Sequence, residues 1–531
     1  MADDISILGK RIKERETSYS KKTMKRTETE RKKDKVLGVG TYGCAIYPAK
    51  SCKPSHKQLE NYVAKVFYDE NGYNDELKEN EIIKELDPSS KFTLLSGMEN
   101  DSCKIGKIYD FTDCNNPEQW GKPEEYYQII YKMGGKDLEN IMNDETSTLF
   151  KHDDPKLTFS YVKYLNAFRS IFEGFNSRDW QQASKAHSDI KGMNITVTED
   201  GKANLIDFGL MMNCNDIYSK KARVDTYEAY MYWPPEFSAY WYLNKIIESD
   251  FKMYERLNVG NIISKLNELN IRFESNKYVK EDTEEIILKS PLQYFGYYIE
   301  RDELLNFFIK LVDKRLINKD VLNTLEFTSE LHKSQIDILW MSTINLLSQL
   351  LNEYEERQME RTMGFMRRSL TKATKLFTRY GRITLSFDEI NRLLQSIFIK
   401  QCSKIDIYMT GLAMLSGLLL AVRSGALLVD GRFNSVIKYI SNLINFNMNE
   451  RYTTQEALDG LNRLINEINI IEKIDVMTLK GGGFVRKIKF VHGINGKKQN
   501  KKSKSKKNKQ TKRKNKYLNK NKKYKKSLKR K

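Results

Sequence analysis

Residues 187–194 read HSDIKGMN, and residues 206–210, a short way downstream, read IDFGL. The first stretch sets an acceptor (Asp189), a cation (Lys191) and an amide oxygen (Asn194) within one short loop, with His187 and Ser188 leading in. The second adds a carboxylate, Asp207, followed by Phe208 and Gly209. Either stretch alone would pass for a polar turn. What decides between a turn and a chemical site is the company the two keep along the chain.

Upstream, LGVGTYGCA (Leu37–Ala45) carries GxGxxG at Gly38, Gly40 and Gly43. A dinucleotide-binding turn would open a helix at this point and meet an acid about 20 residues on. Here the chain runs on as IYPAK and then into a strand, YVAKVF, with Lys65 among apolar neighbours. An ammonium in an apolar strand calls for an anionic partner or ligand, unless it lies on an edge and reaches solvent. In the helical stretch that comes next, ELKENEIIKEL, Glu79 precedes Ile82 and Ile83 by three and four residues and shares their inward face. Glu79 is therefore the expected partner of Lys65, with Glu81 in reserve. An acceptor, a cation and two oxygen ligands for magnesium (Asn194 and Asp207) form the set that phosphoryl transfer requires.

Taken in this order, the residues resemble the protein kinase superfamily, over about 35–236 and 400–470. The resemblance implies an α+β, bilobal fold with a small β-rich lobe and a large helical one. It implies that Leu37, Gly38, Val39, Gly40, Thr41, Tyr42, Gly43, Cys44 and Ala45 cover ATP, and that Lys65, held by Glu79, meets its phosphates. Asp189 would be the catalytic acid/base and Lys191 the contact to the γ-phosphate. Asn194 and Asp207 would hold Mg2+, with Mn2+ an alternative. IIYKMGGKDL would be the adenine-binding hinge, with Ile130 as gatekeeper, Tyr131 to Met133 as the hinge itself and Asp137 on the ribose. His187, Phe208 and Gly209 would support the two loops, and Glu236 of YWPPE would pair with Arg451. Asp406, in SKIDIYMTGLAML, would brace the catalytic loop from a buried helix. A similar string at Asp337 lies further from Arg451 and has Ser342 where Gly411 fits the family pattern.

The departures are informative. Ser188 stands where the family has an arginine that commonly meets an activation-loop phosphate, which argues against switching by that route. Ala229 stands where a threonine often meets the substrate loop, and Ala45 replaces the usual valine. Lys191 is the serine/threonine form of the loop. The style of the sequence is similar to the serine/threonine kinases of giant DNA viruses, which would imply host cytoplasm or a virion as the setting.

The chain has 531 residues, 40% of them hydrophobic, enough for a sizeable core. Its net charge of +20 belongs to the tail, because 497–531 carries 20 Lys and Arg and no acid. This tail is expected to be a solvated extension, a nuclear address or a non-specific attachment to nucleic acid or another polyanion. Six scattered cysteines without a CxxC pair suggest a reducing compartment and no disulfide framework. The N-terminus has no signal-peptide core. The longest apolar run, Gly411–Val422, reads as a buried helix too short to span a bilayer. A soluble, intracellular protein is expected.

The expected organisation is an arm (1–34), the small lobe and hinge (35–133), and the helical lobe with catalytic loop and activation segment (134–236). An insertion (237–400), the rest of the helical lobe (401–475), and a glycine joint with the lysine-rich tail (476–531) complete it. The insertion is helical in pattern, either an elaboration packed on the body or a docking subdomain. Three functions compete: an active kinase acting on protein Ser or Thr, a pseudokinase or virion scaffold, and a nucleic-acid-associated structural component. The presence of Lys65, Asp189 and Asp207 together favours the first.

Overall fold

The computed structural model describes residues 34–215, 232–265, 342–354 and 383–480, leaving out 41–42, 54, 95–101, 106–108, 110–113, 115–125, 145–146, 154–157, 238, 241–242, 244–256, 428–429 and 446. Nearly all of the arm, Thr41 and Tyr42, Ala229, Asp337, most of the insertion, the glycine joint and the tail therefore lie outside the described residues. The chain divides into two compact units, Met1–Lys473 and Ile474–Lys531. The first is a mixed α+β structure.

Strands β1 (Lys35–Val39) and β2 (Gly43–Tyr47) form a hairpin, and a small pair, β3 (Ala49–Lys50) with β4 (Gln58–Leu59), leads to β5 (Tyr62–Phe67). Helix α1 (Glu70–Leu86), β6 (Ser102–Ile105) and β7 (Tyr126–Lys132) come next, and the five long strands make one antiparallel sheet in the order β1-β2-β5-β7-β6. Alternation along the strands gives the sheet two apolar faces. Cys44, Ile46, Ala64, Val66 and Ile130 pack on one. Phe67, Tyr127 and Ile129 pack on the other against Tyr73 and Leu77 of α1, where Tyr73 stacks on Tyr127 with ring centroids 4.8 Å apart.

Helix α1 begins where the Asp69 carboxylate accepts the Gly72 N–H at 2.8 Å, with Glu70 in its first turn and Lys84 in its last. It ends at Asp87, whose buried carboxylate accepts the amides of Lys91, Phe92 and Thr93. This turn lets Phe92 and Leu94 bond to Leu205, fastening the sheet layer to the helical body.

In that body come β8 (Lys136–Asp137) and α2 (Leu138–Asn143). The helical stretch expected over 157–184 is three short helices, α3 (Tyr161–Ala167), α4 (Arg169–Phe175) and α5 (Arg178–Gln182), with Ser160 and Ser177 capping the first and last. Next are β9 (Lys185–Ala186), β10 (Ile195–Val197), β11 (Ala203–Leu205) and β12 (Met212–Asn213). Strand β10 pairs with both β8 and β11, and β12 pairs with β9, so the opening and closing of the two polar loops are held side by side.

Far along the chain β13 (Leu257–Asn258) pairs with β14 (Thr384–Leu385). Helices α6 (Phe387–Gln401), α7 (Ser403–Ser424), α8 (Gly431–Leu443) and α9 (Thr454–Lys480) complete the body. Helix α7 is longer than the apolar run within it. Its Ser403–Val422 portion has a mean hydropathy of 1.8, long and apolar enough for a bilayer, yet its apolar window is 83% buried inside the protein's own core. Described residues from the 237–400 segment, among them Leu243, Ile263, Leu347 and Leu394, belong to that same core.

The expectation of free thiols is overturned. Cys44–Cys114, Cys52–Cys103 and Cys214–Cys402 are disulfides with Cα–Cα separations of 6.0, 5.8 and 5.9 Å, and no cysteine is left free. Spacing along the chain gave no hint, because the partners lie 70, 51 and 188 residues apart and only the fold brings them together. Scattered cysteines therefore give no ground for a reducing compartment.

Candidate active site

The glycine-rich stretch is the β1–β2 turn, closed by Gly40 N–H donating to Gly43 O at 2.8 Å. Gly43 is required by packing, since a Cβ there would lie 1.9 Å from the Val66 carbonyl oxygen. At Gly38 a Cβ would meet nothing within 4 Å. Leu37 and Val39 on β1 are 40% and 46% exposed, an uncovered apolar strip beside the glycines. Ala45 opposes Lys65 across the ladder and shares its face, whereas Cys44 turns to the other face and its disulfide.

Lys65 is an interior-strand lysine with two acidic partners. Its Nζ lies 2.6 Å from Glu76 Oε2 and 3.3 Å from Asp207 Oδ1. Burial works against the ammonium, but Glu76 and Asp207 outweigh it and hold its pKa above the usual lysine value. The partner on α1 is thus Glu76, not the expected Glu79. Both acids share stripes with Ile83, Glu76 at i, i+7 and Glu79 at i, i+4, and the phase at which α1 lies on the sheet selects Glu76. Glu79 Oε2 is buried without a hydrogen-bond partner, and burial together with Glu76 pushes its carboxyl up to about 7.

Ile130, the expected gatekeeper, faces away from Lys65. Directly opposed residues in an antiparallel ladder share a face. Lys65 opposes Ile129 and Val63 opposes Tyr131, whereas Ile130 opposes Ala64 and points to the far-side core. Tyr127, Ile129 and Tyr131 are the β7 residues on the lysine's side. The Tyr131 hydroxyl donates to Glu76 Oε1 at 2.8 Å and accepts from Asn80 Nδ2 at 2.7 Å. Met133 N–H, at the end of this strand, donates to Asn61 O at 2.8 Å and so is already engaged. Asp137 caps α2, accepting from Asn140 N at 2.9 Å and from Asn140 Nδ2.

The loop between β9 and β10 is built around buried His187. Its ring packs on Phe208 with centroids 4.4 Å apart, its Nε2 lies 3.2 Å from Ile206 O, and its Nδ1 lies 3.3 Å from the Asp189 N–H. These contacts place the proton on Nε2, and burial lowers the ring's pKa to about 4. The backbone amides of His187 and Ser188 donate to the two Asp406 oxygens at 3.1 and 3.3 Å, so α7 braces the loop from below. Burial raises Asp406 to about 7 in spite of those amides. Ser188 O accepts from the Trp233 indole at 2.8 Å, a support that no sequence motif announced. Glu236 and Arg451, both buried, make a bidentate pair at 2.6 and 2.8 Å.

Within the same β9–β10 loop, Lys191 Nζ lies 2.9 and 3.0 Å from the two Asp189 oxygens. Asn194 Nδ2 donates to Asp189 O at 2.9 Å and Oδ2 at 2.7 Å. Burial raises Asp189 to about 6 against the pull of Lys191. Burial acts the same way on Asp207, but Lys65 and the other nearby cations overcome it and hold that carboxyl below its ordinary value. Ser188 and Asp207 both have left-handed backbones, with φ of 62° and 63°, and such strain in non-glycine residues concentrates at functional sites. The donor chemistry suits a hard divalent cation: an ionised, 46% exposed carboxylate at Asp207 and the amide oxygen of Asn194, whose nitrogen is taken by Asp189. Among the described residues no group of three or more His, Cys, Asp or Glu side chains forms a separate metal site.

The structure therefore gathers Lys65, Asp189, Lys191, Asn194 and Asp207, adds Glu76 and Tyr131 to them, and turns Ile130 and the Cys44 side chain away. Comparison with protein families and with curated proteins finds no match for the chain.

Proposed function

We propose that the chain is a serine/threonine protein kinase of bilobal build, transferring the γ-phosphate of Mg-ATP to protein hydroxyls. The observation that carries this reading is the approach of Lys65 to Asp207 at 3.3 Å while Glu76 holds the same ammonium at 2.6 Å. It joins residues 142 apart in sequence into one cation–carboxylate chain beside Asp189 and Asn194. A perturbed acid beside strained, polar loops is common at catalytic sites.

In this reading ATP lies under β1 and β2, its phosphates against Lys65. A magnesium ion, or manganese in its place, would be held by Asp207 and Asn194 and would shield the phosphate charge. Asp189, ionised at neutral pH, accepts the hydrogen of the incoming hydroxyl and orients its oxygen for in-line attack. The phosphoryl group passes to that oxygen, ADP leaves, and the proton is taken up at Asp189. Lys191 supplies positive charge to the group in transit, and its presence supports a serine or threonine acceptor. The cations of 497–531 would attach the enzyme to nucleic acid or another polyanion, more weakly as salt rises.

The test is phosphate transfer from labelled ATP to a protein acceptor. Native protein is expected to transfer, and Asp189→Ala and Asp207→Ala to lose at least about a hundredfold in rate, the lower end for a general-base contribution. Binding of Mg-ATP without transfer would instead point to a nucleotide-binding scaffold.

A further inference from the structure

Glu76 is held from two sides. Its Oε2 takes the Lys65 ammonium at 2.6 Å and its Oε1 takes the Tyr131 hydroxyl at 2.8 Å, while Asn80, one turn further along α1, donates to the same hydroxyl at 2.7 Å. The phenol therefore grips α1 at two successive turns from a strand in the middle of the sheet. Tyr131 is half-buried with its hydroxyl turned inward, and burial first, then Glu76, pushes its pKa far above the ordinary phenol value, so it remains a donor across the physiological range.

One turn away from Glu76 lies a rival. Glu79 is on the same side of α1, close enough for its ionisation to respond to Glu76, Lys65 and Asp207, and its buried Oε2 has no hydrogen-bond partner. On a helix of 3.6 residues per turn, positions three apart differ by about 60° in direction. A rotation of α1 of that size, together with a slide of about 4.5 Å along its axis, would exchange one carboxylate for the other at Lys65. Nothing about the ammonium itself favours Glu76 over Glu79. The phenol does, because it has a hydrogen bond to offer only to the first.

We infer that Tyr131 is a positioning residue: by holding Glu76 and Asn80 it fixes the rotation of α1, so that Lys65 pairs with Glu76 rather than Glu79 and is presented to the nucleotide in one geometry. This rests on the reading of Lys65 as the nucleotide's lysine.

The test is the dissociation constant for Mg-ATP, measured by calorimetry on the full chain. Tyr131→Phe keeps the ring and removes the hydroxyl, and is expected to weaken binding about tenfold, in the range for a lost hydrogen bond to a charged group. Adding Glu79→Gln to Tyr131→Phe removes the competing carboxylate and should restore most of that loss, which a merely structural role for Tyr131 would not produce. Asn80→Ala, expected to weaken binding in the same direction by a smaller factor, serves where Tyr131→Phe does not fold. Native-like binding in Tyr131→Phe and Asn80→Ala, or no recovery in the double variant, overturns the inference while leaving the nucleotide reading intact. Absence of Mg-ATP binding by the native protein overturns both, and Lys65→Ala binding as tightly as native marks the failure of the nucleotide reading in particular.

Discussion

Asp189 is the residue where chemistry and stability pull apart most clearly. Its side chain is 6% exposed, and burial raises its pKa from 3.8 to about 6 in the folded chain. The folded state thus binds this proton more tightly than the unfolded one. The contribution to stability is fully present below about 3.8, declines as pH rises, and is lost above about 6. Asp189→Asn removes the ionisation, so it should raise the melting temperature at pH 8 relative to native, with the difference vanishing near pH 3.5, while, in the kinase reading, phosphate transfer is lost. A melting curve for Asp189→Asn that is lower than native at pH 8 would contradict this. Asp189, Lys191 and Asn194 were legible in the sequence because one short loop holds all three, so local spacing was enough. Glu76 was not legible, since its claim against Glu79 depends on the phase of a helix against a strand. Ile130 was misread for a similar reason: a one-residue shift along a strand exchanges its two faces.

Between elements, one long-range connection is a buried ion pair. Glu236, on the helical turn that Pro235 opens, meets Arg451 in the loop before α9, and the arginine side chain is 0% exposed. Its Nε also donates to Asn445 O at 2.9 Å and its guanidinium lies over Tyr408 of α7, 4.7 Å from the ring centroid. Removing one partner leaves an uncompensated charge in the core, which typically costs about 3–5 kcal/mol. Glu236→Ala should therefore lower unfolding free energy by about that much in a denaturant titration, and Glu236→Leu combined with Arg451→Met should recover a large part of it. Equal loss in the single and double variants would mean that the pair contributes by shape rather than by charge. The pairing was readable from the motif. The shape of the elements around it was less so: the continuous helical pattern over 157–184 gave no warning that Ser177 would start a new helix, because a serine caps or continues a helix according to the tertiary contacts of its neighbours.

At the scale of the whole molecule the cysteines matter most, and here their spacing in the sequence misleads. Composition and the absence of a CxxC pair are sound guides to a local framework, but cross-links between distant segments are a property of topology. Cys214, just past β12, is joined to Cys402 at the N-cap of α7, the helix whose Asp406 braces the loop that carries Asp189. Gln395 of α6 also donates to Asn215 O at 2.8 Å, so the segment leaving Asp207 is tied down twice to the same side of the body. The bridge closes a loop that contains the whole of the 237–400 segment. A cross-link over a long loop restricts the unfolded chain, an effect of roughly 2–4 kcal/mol for a typical disulfide. Thiol titration in denaturant should accordingly find no reactive cysteine before reduction and six after it. Replacing Cys214 and Cys402 together by serine should lower the melting temperature and, in the kinase reading, slow transfer more than it weakens Mg-ATP binding, because the lysine–glutamate pair stands on other elements. Six reactive thiols in the unreduced protein would mean that the three pairs lie close without being joined, and would restore the case for a reducing compartment.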